Sequence, residues 1–393
     1  MVDRRQSTVD GQRTSHIKHL TSLHMHDWYE IKNINELDSP ALVIYPERVK
    51  YNIATAIEMI GDASRLRPHI KTNKSPDATK LLIEAGVTKF KCATIAEAEM
   101  LGMCNAKDVL LAYQPIGPKL NRFVNLIKKY PSTKYSCLID NIDAAKSMAE
   151  IFSSNELTVP VFIDINVGQN RTGIEPGDAT IKLYTDASEL KGIKLIGLHA
   201  YDGHIRNADF NLRKQECDVC FAKVEETKNA IMQKGFAEPI IIAGGSPSFS
   251  IHSKRKNCEC SPGTFIYWDK GYIDLCPEQN FLPAALVVTR IISLPAKTKI
   301  CLDLGHKSIA AENEITKRVY FINAPDLKAI SQSEEHLVVE AGENHSYKIG
   351  DVFYGMPIHV CPTIALYERA YTITNNIVNG EWKNTARDRK ISL

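Results

Sequence analysis

Between residue 66 and about residue 270 the chain alternates short apolar runs of strand character with longer stretches whose apolar positions recur at helical spacing. Strand-like runs occur at 66–71, 89–94, 108–113, 134–140, 159–167, 193–201 and 238–245, with a weaker one around 257–260. Helical stretches at 75–86, 95–103, 118–130, 142–153 and 213–234 lie between them. Strands that alternate with helices in this way must pair in parallel, and eight of them in succession close into a (β/α)8 TIM barrel. The rival is an open doubly wound sheet. Its dinucleotide-binding form is weakened because no G-x-G-x-x-G follows an early strand.

The flanks read differently. Residues 38–46 form one isolated strand-like run ended by Pro46, before a helix carrying Val49, Ile53, Ala56, Ile57 and Ile60. Beyond about residue 275 helical periodicity fades. Runs such as Ala285–Ile292, Lys299–Asp303, His336–Glu340 and Tyr371–Thr374 follow, with an Asn379-Gly380 turn suited to a hairpin. A C-terminal, mostly antiparallel β domain is expected, which also takes the strand at 38–46. The expected division is an N-terminal extension at 1–36, a barrel at 47–272, and a β domain made of 37–46 and 273–393. The extension is polar and carries His16, His19, His24 and His26. It reads as a loosely docked tail rather than a metal site.

Composition narrows the function. Hydrophobic content of 44% and charged content of 24% fit a globular protein with a substantial core. A net charge of +2, with no basic stretch interleaved with aromatics, gives no footprint for nucleic acid. No apolar run reaches the roughly 18–20 residues a membrane span needs, and the first residues lack the apolar core of a signal peptide. The 10 cysteines are scattered, several within apolar runs, and read as reduced thiols in a cytoplasmic protein. Cys217-x-x-Cys220 has the spacing of a redox or zinc pair. It falls mid-helix without a second pair, so a structural role is expected.

Chemistry in a barrel belongs at the carboxyl ends of its strands. There the sequence places Lys71, after Arg67-Pro68-His69-Ile70; Arg171, in Gly168–Gly173; His199 and Tyr201; the turn Gly244-Gly245-Ser246-Pro247; and Pro262-Gly263-Thr264. A lysine held partly out of water can attack a carbonyl. Glycine turns after the last two strands let backbone N–H groups reach phosphate oxygens. An aldehyde that carries a phosphate fits both, and pyridoxal 5′-phosphate is such a cofactor.

With these motifs in order, the chain resembles the alanine-racemase-like, fold-type III pyridoxal-phosphate enzymes, most of all the D-threonine aldolase and D-serine dehydratase branch, over roughly residues 37–385. The resemblance implies that Lys71 carries the cofactor as a Schiff base and that Arg171 faces the cofactor and substrate side. It implies that His199 and Tyr201 lie on the strand backing the pyridine ring, and that Gly244, Gly245, Ser246, Gly263 and Thr264 hold the phosphate. His359-Val360-Cys361 resembles the branch's metal-binding H-x-C or H-x-D element. If it lay in a strand, both side chains would point one way, and imidazole plus thiolate favours zinc, with manganese the alternative. A homodimer is implied as well.

The implied substrate is a small D-3-hydroxy amino acid. Two outcomes stay open: aldol cleavage to glycine and an aldehyde, with His199 as a candidate base, and dehydration to a 2-oxo acid and ammonia. The Tyr201-Asp202-Gly203-His204 run leans toward aldol cleavage, whereas Cys361 leans toward dehydration. Racemisation is a third reading, needing a second base such as Tyr354 or Tyr367. Asn73 and Phe265 depart from the branch, where histidine and tyrosine are common.

Overall fold

The computed structural model describes residues 27–393; the histidines of the N-terminal extension lie outside these. Seven strands form a parallel sheet in sequence order: β2 (Lys89–Cys92), β3 (Asp108–Leu111), β4 (Lys134–Ile139), β5 (Val159–Asp164), β6 (Ile193–Ala200), β7 (Ile240–Ala243) and β8 (Cys258–Cys260), preceded in the chain by β1 (Ala41–Ile44) of the second sheet. The eighth position is not the regular strand expected at 66–71. Pro68 has no N–H to give to a ladder, and only isolated bridges form, Leu66 to Cys260 and His69 to Lys91. The segment still closes the barrel. On one side the Arg67 and His69 N–H groups donate to the Cys260 and Pro262 carbonyls at 2.8 and 2.9 Å. On the other, Ile70 N–H donates to Lys91 O and Lys91 N–H to Pro68 O, both at 2.9 Å.

The helices stand close to where periodicity put them, and their starts have local causes. Ser75 caps Pro76–Glu84 through the Asp77 N–H, with proline in the first turn. Thr94 caps Ile95–Met103 through the Glu97 N–H, and Glu97 reaches back to the Ala93 N–H at 2.6 Å. Glu97 also pairs with Lys74, which ties the loop after Lys71 to this helix.

The barrel interior has an ionic and an apolar part. Arg67 bridges Glu259 and Asp108 at 2.7 and 2.6 Å, and Lys89 also pairs with Glu259. Leu110, Leu138, Phe162 and Ile242 fill the rest.

The second sheet has nine strands, ordered β12 (Lys328–Gln332), β13 (Leu337–Glu340), β10 (Lys299–Leu302), β9 (Ala285–Ala296), β1, β15 (Arg369–Thr374) and β16 (Ile377–Lys383); β14 (Val352–Pro357) pairs with β9 and β11 (Val319–Phe321). As expected, β1 joins this sheet, antiparallel to β9 and parallel to β15. Asp269 ties the two sheets together, accepting from the Tyr272 N–H on the barrel side and the Val360 N–H on the other, both at 2.9 Å. All ten cysteines are free thiols, and Cys217-x-x-Cys220 lies inside the helix Phe210–Gln233.

Candidate active site

The barrel mouth gathers most of the residues singled out in the sequence. Lys71 is half-buried, with Nζ 6.0 Å from the centre of the Tyr201 ring. Arg171 and Lys91 stand 5.1 and 5.3 Å from the same ring, so three cations surround one aromatic face. Arg171 is positioned by its neighbours: Thr172 donates to Asp164 at 2.8 Å, and the Gly173 N–H donates to Asp140 at 3.0 Å.

His199 lies beneath this mouth, 4% exposed. Its Nδ1 meets Asp164 Oδ1 at 2.7 Å and its Nε2 meets Lys91 Nζ at 3.4 Å. Burial, then the Lys91 charge, holds the imidazole below its ordinary pKa although Asp164 pulls the other way. Both nitrogens are therefore engaged within the barrel floor. A base that takes a substrate's hydroxyl proton needs a free lone pair facing it, and in this geometry His199 has none.

The two glycine turns face each other. The Gly263 and Thr264 N–H groups converge on Ser246 Oγ at 3.3 and 3.0 Å. Gly244 has φ +74, and a Cβ added at Gly263 would stand 2.9 Å from the His69 carbonyl oxygen, so neither position accepts a side chain without strain. Behind the turns, Ser248 accepts from the Gly245 N–H at 3.2 Å and donates to Asp202 at 2.7 Å, and Asp202 meets His252 Nε2 at 2.8 Å.

The second sheet contributes Cys361 and His359, by a route other than the expected strand. β14 stops at Pro357; His359 is the residue before the helix Val360–Leu366, and Cys361 stands in its first turn. Strand alternation therefore does not align the pair. They converge because His359 is extended (φ −133°, ψ 102°) just before the chain coils. Cys361 Sγ lies 3.1 Å from Thr72 Oγ1 and 3.6 Å from Thr264 Oγ1, beside both Lys71 and the glycine turns. Burial raises the thiol's pKa, but the His359 imidazole, Lys71 and the Thr72 hydroxyl together bring it below the ordinary thiol value. His359 is 44% exposed at its side chain, with Nδ1 2.5 Å from Glu312 Oε1.

Among the described residues a tighter trio of metal-ligand types lies elsewhere: Asp202, Cys217 and His252, all buried. Arg255 Nε donates to His252 Nδ1 at 3.2 Å. Burial lowers the His252 pKa, but Asp202 and Cys217 lift it well above the ordinary imidazole value, so Nε2 keeps its proton toward Asp202 and offers no lone pair there. The trio reads as a support for the glycine turn, and it includes one half of the Cys-x-x-Cys motif.

Asn73 turns inward and accepts from the Ser75 N–H at 3.2 Å, while Phe265 packs against Phe281. Tyr354 accepts from the Ile31 N–H and Tyr367 donates to the Ser308 carbonyl. Sequence reasoning passed over Lys91, Asp164, Asp269 and Glu312. The first two were legible in principle, since each sits two residues or fewer from a strand's carboxyl end with inward parity.

Two family models match. Residues 44–270 match the alanine racemase N-terminal domain, and residues 284–373 match a putative serine dehydratase domain. The first covers more than half of the chain. This protein belongs to the alanine racemase N-terminal domain family. Within its relatives, a D-threonine aldolase of Arthrobacter sp is 23% identical over 89% of this chain and 93% of its own. A 3-hydroxy-D-aspartate aldolase of Paracoccus denitrificans is 24% identical over 90% and 93%. The crystal structure of D-threonine aldolase from Filomicrobium marinum superposes with a TM-score of 0.83 at 23% identity, covering 90% of this chain and 96% of that one. That likeness establishes the shared fold.

Proposed function

We propose that the protein is a pyridoxal-phosphate- and metal-dependent lyase acting on D-3-hydroxy amino acids, by retro-aldol cleavage to glycine and an aldehyde. One observation carries the reading. Cys361, from the second sheet, touches Thr72 and Thr264, the residues flanking the barrel's lysine and its glycine turn. A nucleophilic amine, an anion cradle and a thiolate–imidazole pair thus meet at one mouth.

The residues present fit the cofactor. Two backbone N–H groups already converge on a single oxygen, that of Ser246, and Gly244 and Gly263 stand where no side chain fits without strain. Lys71 would hold the aldehyde carbon; Gly245, Ser246, Gly263 and Thr264 the phosphate; His199 and Tyr201 would back the ring; and Arg171 would face the substrate. When bound, the cofactor supplies an electron sink for the pair left at the substrate's Cα. A softened thiol beside an imidazole fits a divalent ion, zinc favoured over manganese, which supplies Lewis acidity toward a hydroxyl oxygen. The chain's own part is to orient: Arg171 fixes the substrate's anionic end, Thr72 and Thr264 fix Cys361, and Lys71, once free, stands ready to take or return the α-proton. A cytoplasmic homodimer is part of this proposal, supported by the ten free thiols for the compartment.

Dehydration is the second reading, favoured by Cys361 and by the match of residues 284–373 to a serine dehydratase domain. Purified protein, loaded with pyridoxal phosphate and assayed on D-threonine and D-serine with and without Zn2+ or Mn2+, decides between them. Glycine plus acetaldehyde supports cleavage, whereas 2-oxobutyrate or pyruvate moves the assignment to dehydration. No reaction of either kind, or retention of cofactor absorbance in Lys71→Ala, overturns the proposal. Cys361→Ser should remove the metal and lower kcat/KM by about 10²-fold or more.

A further inference from the structure

Lys91 is the group at this site that the proposed reaction leaves unused. It is 1% exposed, on β2, with Nζ 5.3 Å from the centre of the Tyr201 ring that Lys71 also faces. Among the described residues no carboxylate lies within ion-pairing distance of it. Its polar contacts are His199 Nε2 at 3.4 Å and Ser261 Oγ. Ser261 spends its own hydroxyl proton on the Gly244 carbonyl at 2.9 Å, so toward Lys91 it can only accept. At the far end of the chain His199 Nδ1 meets Asp164, which also accepts from Thr172. One polar chain thus crosses the barrel floor from the Arg171 loop to the phosphate turn, through Thr172, Asp164, His199, Lys91 and Ser261.

We propose that Lys91 and His199 share one proton across their contact, and that Lys91 is the positioning residue that keeps His199 a neutral imidazole with its N–H directed at Asp164. In the first arrangement Lys91 is an ammonium donating to Nε2, and Nδ1–H donates to Asp164. In the second, one N–H bond breaks at Nζ and one forms at Nε2, leaving a neutral amine and an imidazolium. Asp164, His199 and Lys91 carry a net charge of zero in both, so the proton moves without altering the floor's charge. The groups facing this pair are Arg67, His69 and Lys71 from the closing segment, Asp164 from β5, Tyr201 and Asp202 after β6, and Ser261 after β8. Arg171, after β5, also acts on His199 and makes three cations against two carboxylates, which disfavours an imidazolium there. Separately, burial and then Lys71 push the Lys91 amine down to about 7, within reach of an imidazole.

The placement of this chain beneath a cofactor rests on the proposed function, but its test does not. Protein with 15N-labelled histidine rings is titrated by NMR between pH 5 and 9, with His199→Gln assigning the signal. In the wild type, His199 should stay a neutral Nδ1–H tautomer through neutral pH. In Lys91→Met, Asp164 is left as its sole charged neighbour in contact, and its proton affinity should rise at least tenfold. Lys91→Arg keeps a cation but cannot release a proton, and should return the affinity to within threefold of wild type. An unchanged His199 titration in Lys91→Met, or an Nε2–H tautomer in the wild type, overturns the inference. Should Lys91→Met fail to fold, the wild-type tautomer alone decides. Loaded protein adds a second readout: the visible cofactor band should shift its pH midpoint in Lys91→Met and keep it in Lys91→Arg, whichever reaction the enzyme catalyses.

Discussion

The barrel contains two buried chains of the same composition, each a cation, an imidazole and a carboxylate, and they are wired oppositely. In the floor, Asp164 takes His199 Nδ1 and Lys91 takes Nε2. Behind the Gly244-Gly245 turn, Asp202 takes His252 Nε2 and Arg255 takes Nδ1. The difference lies at the cationic end. A guanidinium does not give up its proton, and Arg255 is further held by Asp218. Lys91 is a desolvated amine with no carboxylate of its own. The first chain can therefore rearrange a proton, whereas the second is fixed, and their places suit this: reacting groups above one, a rigid anion cradle in front of the other. A carboxylate beside a histidine does not by itself set that histidine's state: His199 is held below, and His252 well above, the ordinary imidazole value.

The comparison breaks most visibly at the carboxylates. Asp202→Asn removes the charge and one of the two oxygens that accept from Ser248 and His252, and puts an NH2 donor in its place, in a chain that cannot adjust. Chemical denaturation should show a loss of about 3–5 kcal/mol, and the phosphate turn should bind pyridoxal phosphate more weakly. Asp164→Asn should cost less, about 1–3 kcal/mol, because Lys91 can shed its proton and relieve the unpaired charge. Equal losses would refute the distinction between a fixed and a labile chain.

A third expectation concerns pH. Lys91 has its amine pushed down to about 7 in the folded protein, against about 10.4 for an unperturbed lysine. Between those values the unfolded chain holds a proton that the folded one has lost, so stability rises with pH. The cost of burying the charge is present in full below about pH 7 and fades toward the upper value. Thermal unfolding of Lys91→Met should accordingly show a flatter pH dependence from 7 to 10 than the wild type. An unaltered slope would mean that Lys91 stays charged throughout. The smallest effect is expected at Cys217→Ala, about 1 kcal/mol or less, with the metal content of the purified protein unchanged. Loss of an ion in that variant would turn the Asp202, Cys217 and His252 trio into a metal site.

Much of the fold was legible because periodicity and parity report burial directly. The helices at 95–103 and 118–130, and strands β3 to β7, fall within a few residues of where the apolar spacing places them. Residues 66–71 were legible as a barrel element but not as an irregular one: Pro68 announces a missing donor, yet only the neighbouring strands reveal that backbone bonds on both sides still close the sheet. The H-x-C pair was found, but its conformation was misjudged. Pro362, in the first turn of a helix where its lacking N–H does no harm, was a start signal that was overlooked. Lys91 and Asp164 escaped notice for a different reason. A single polar residue in an apolar strand looks like ordinary alternation, and only the closed barrel turns two such residues toward the same histidine.

The closing segment carries one more consequence. Lys71 rides on the piece of chain that is stitched to β2 and β8 at once, so the amine reaches its place only in a barrel that has shut. A partly assembled chain, with its first and last strands apart, offers an ordinary exposed lysine to solvent, with neither the Tyr201 ring nor the glycine turns near it. If the chain takes up pyridoxal phosphate as proposed, that uptake is a readout of correct assembly: freshly made polypeptide should colour only at the moment its two ends of sheet meet.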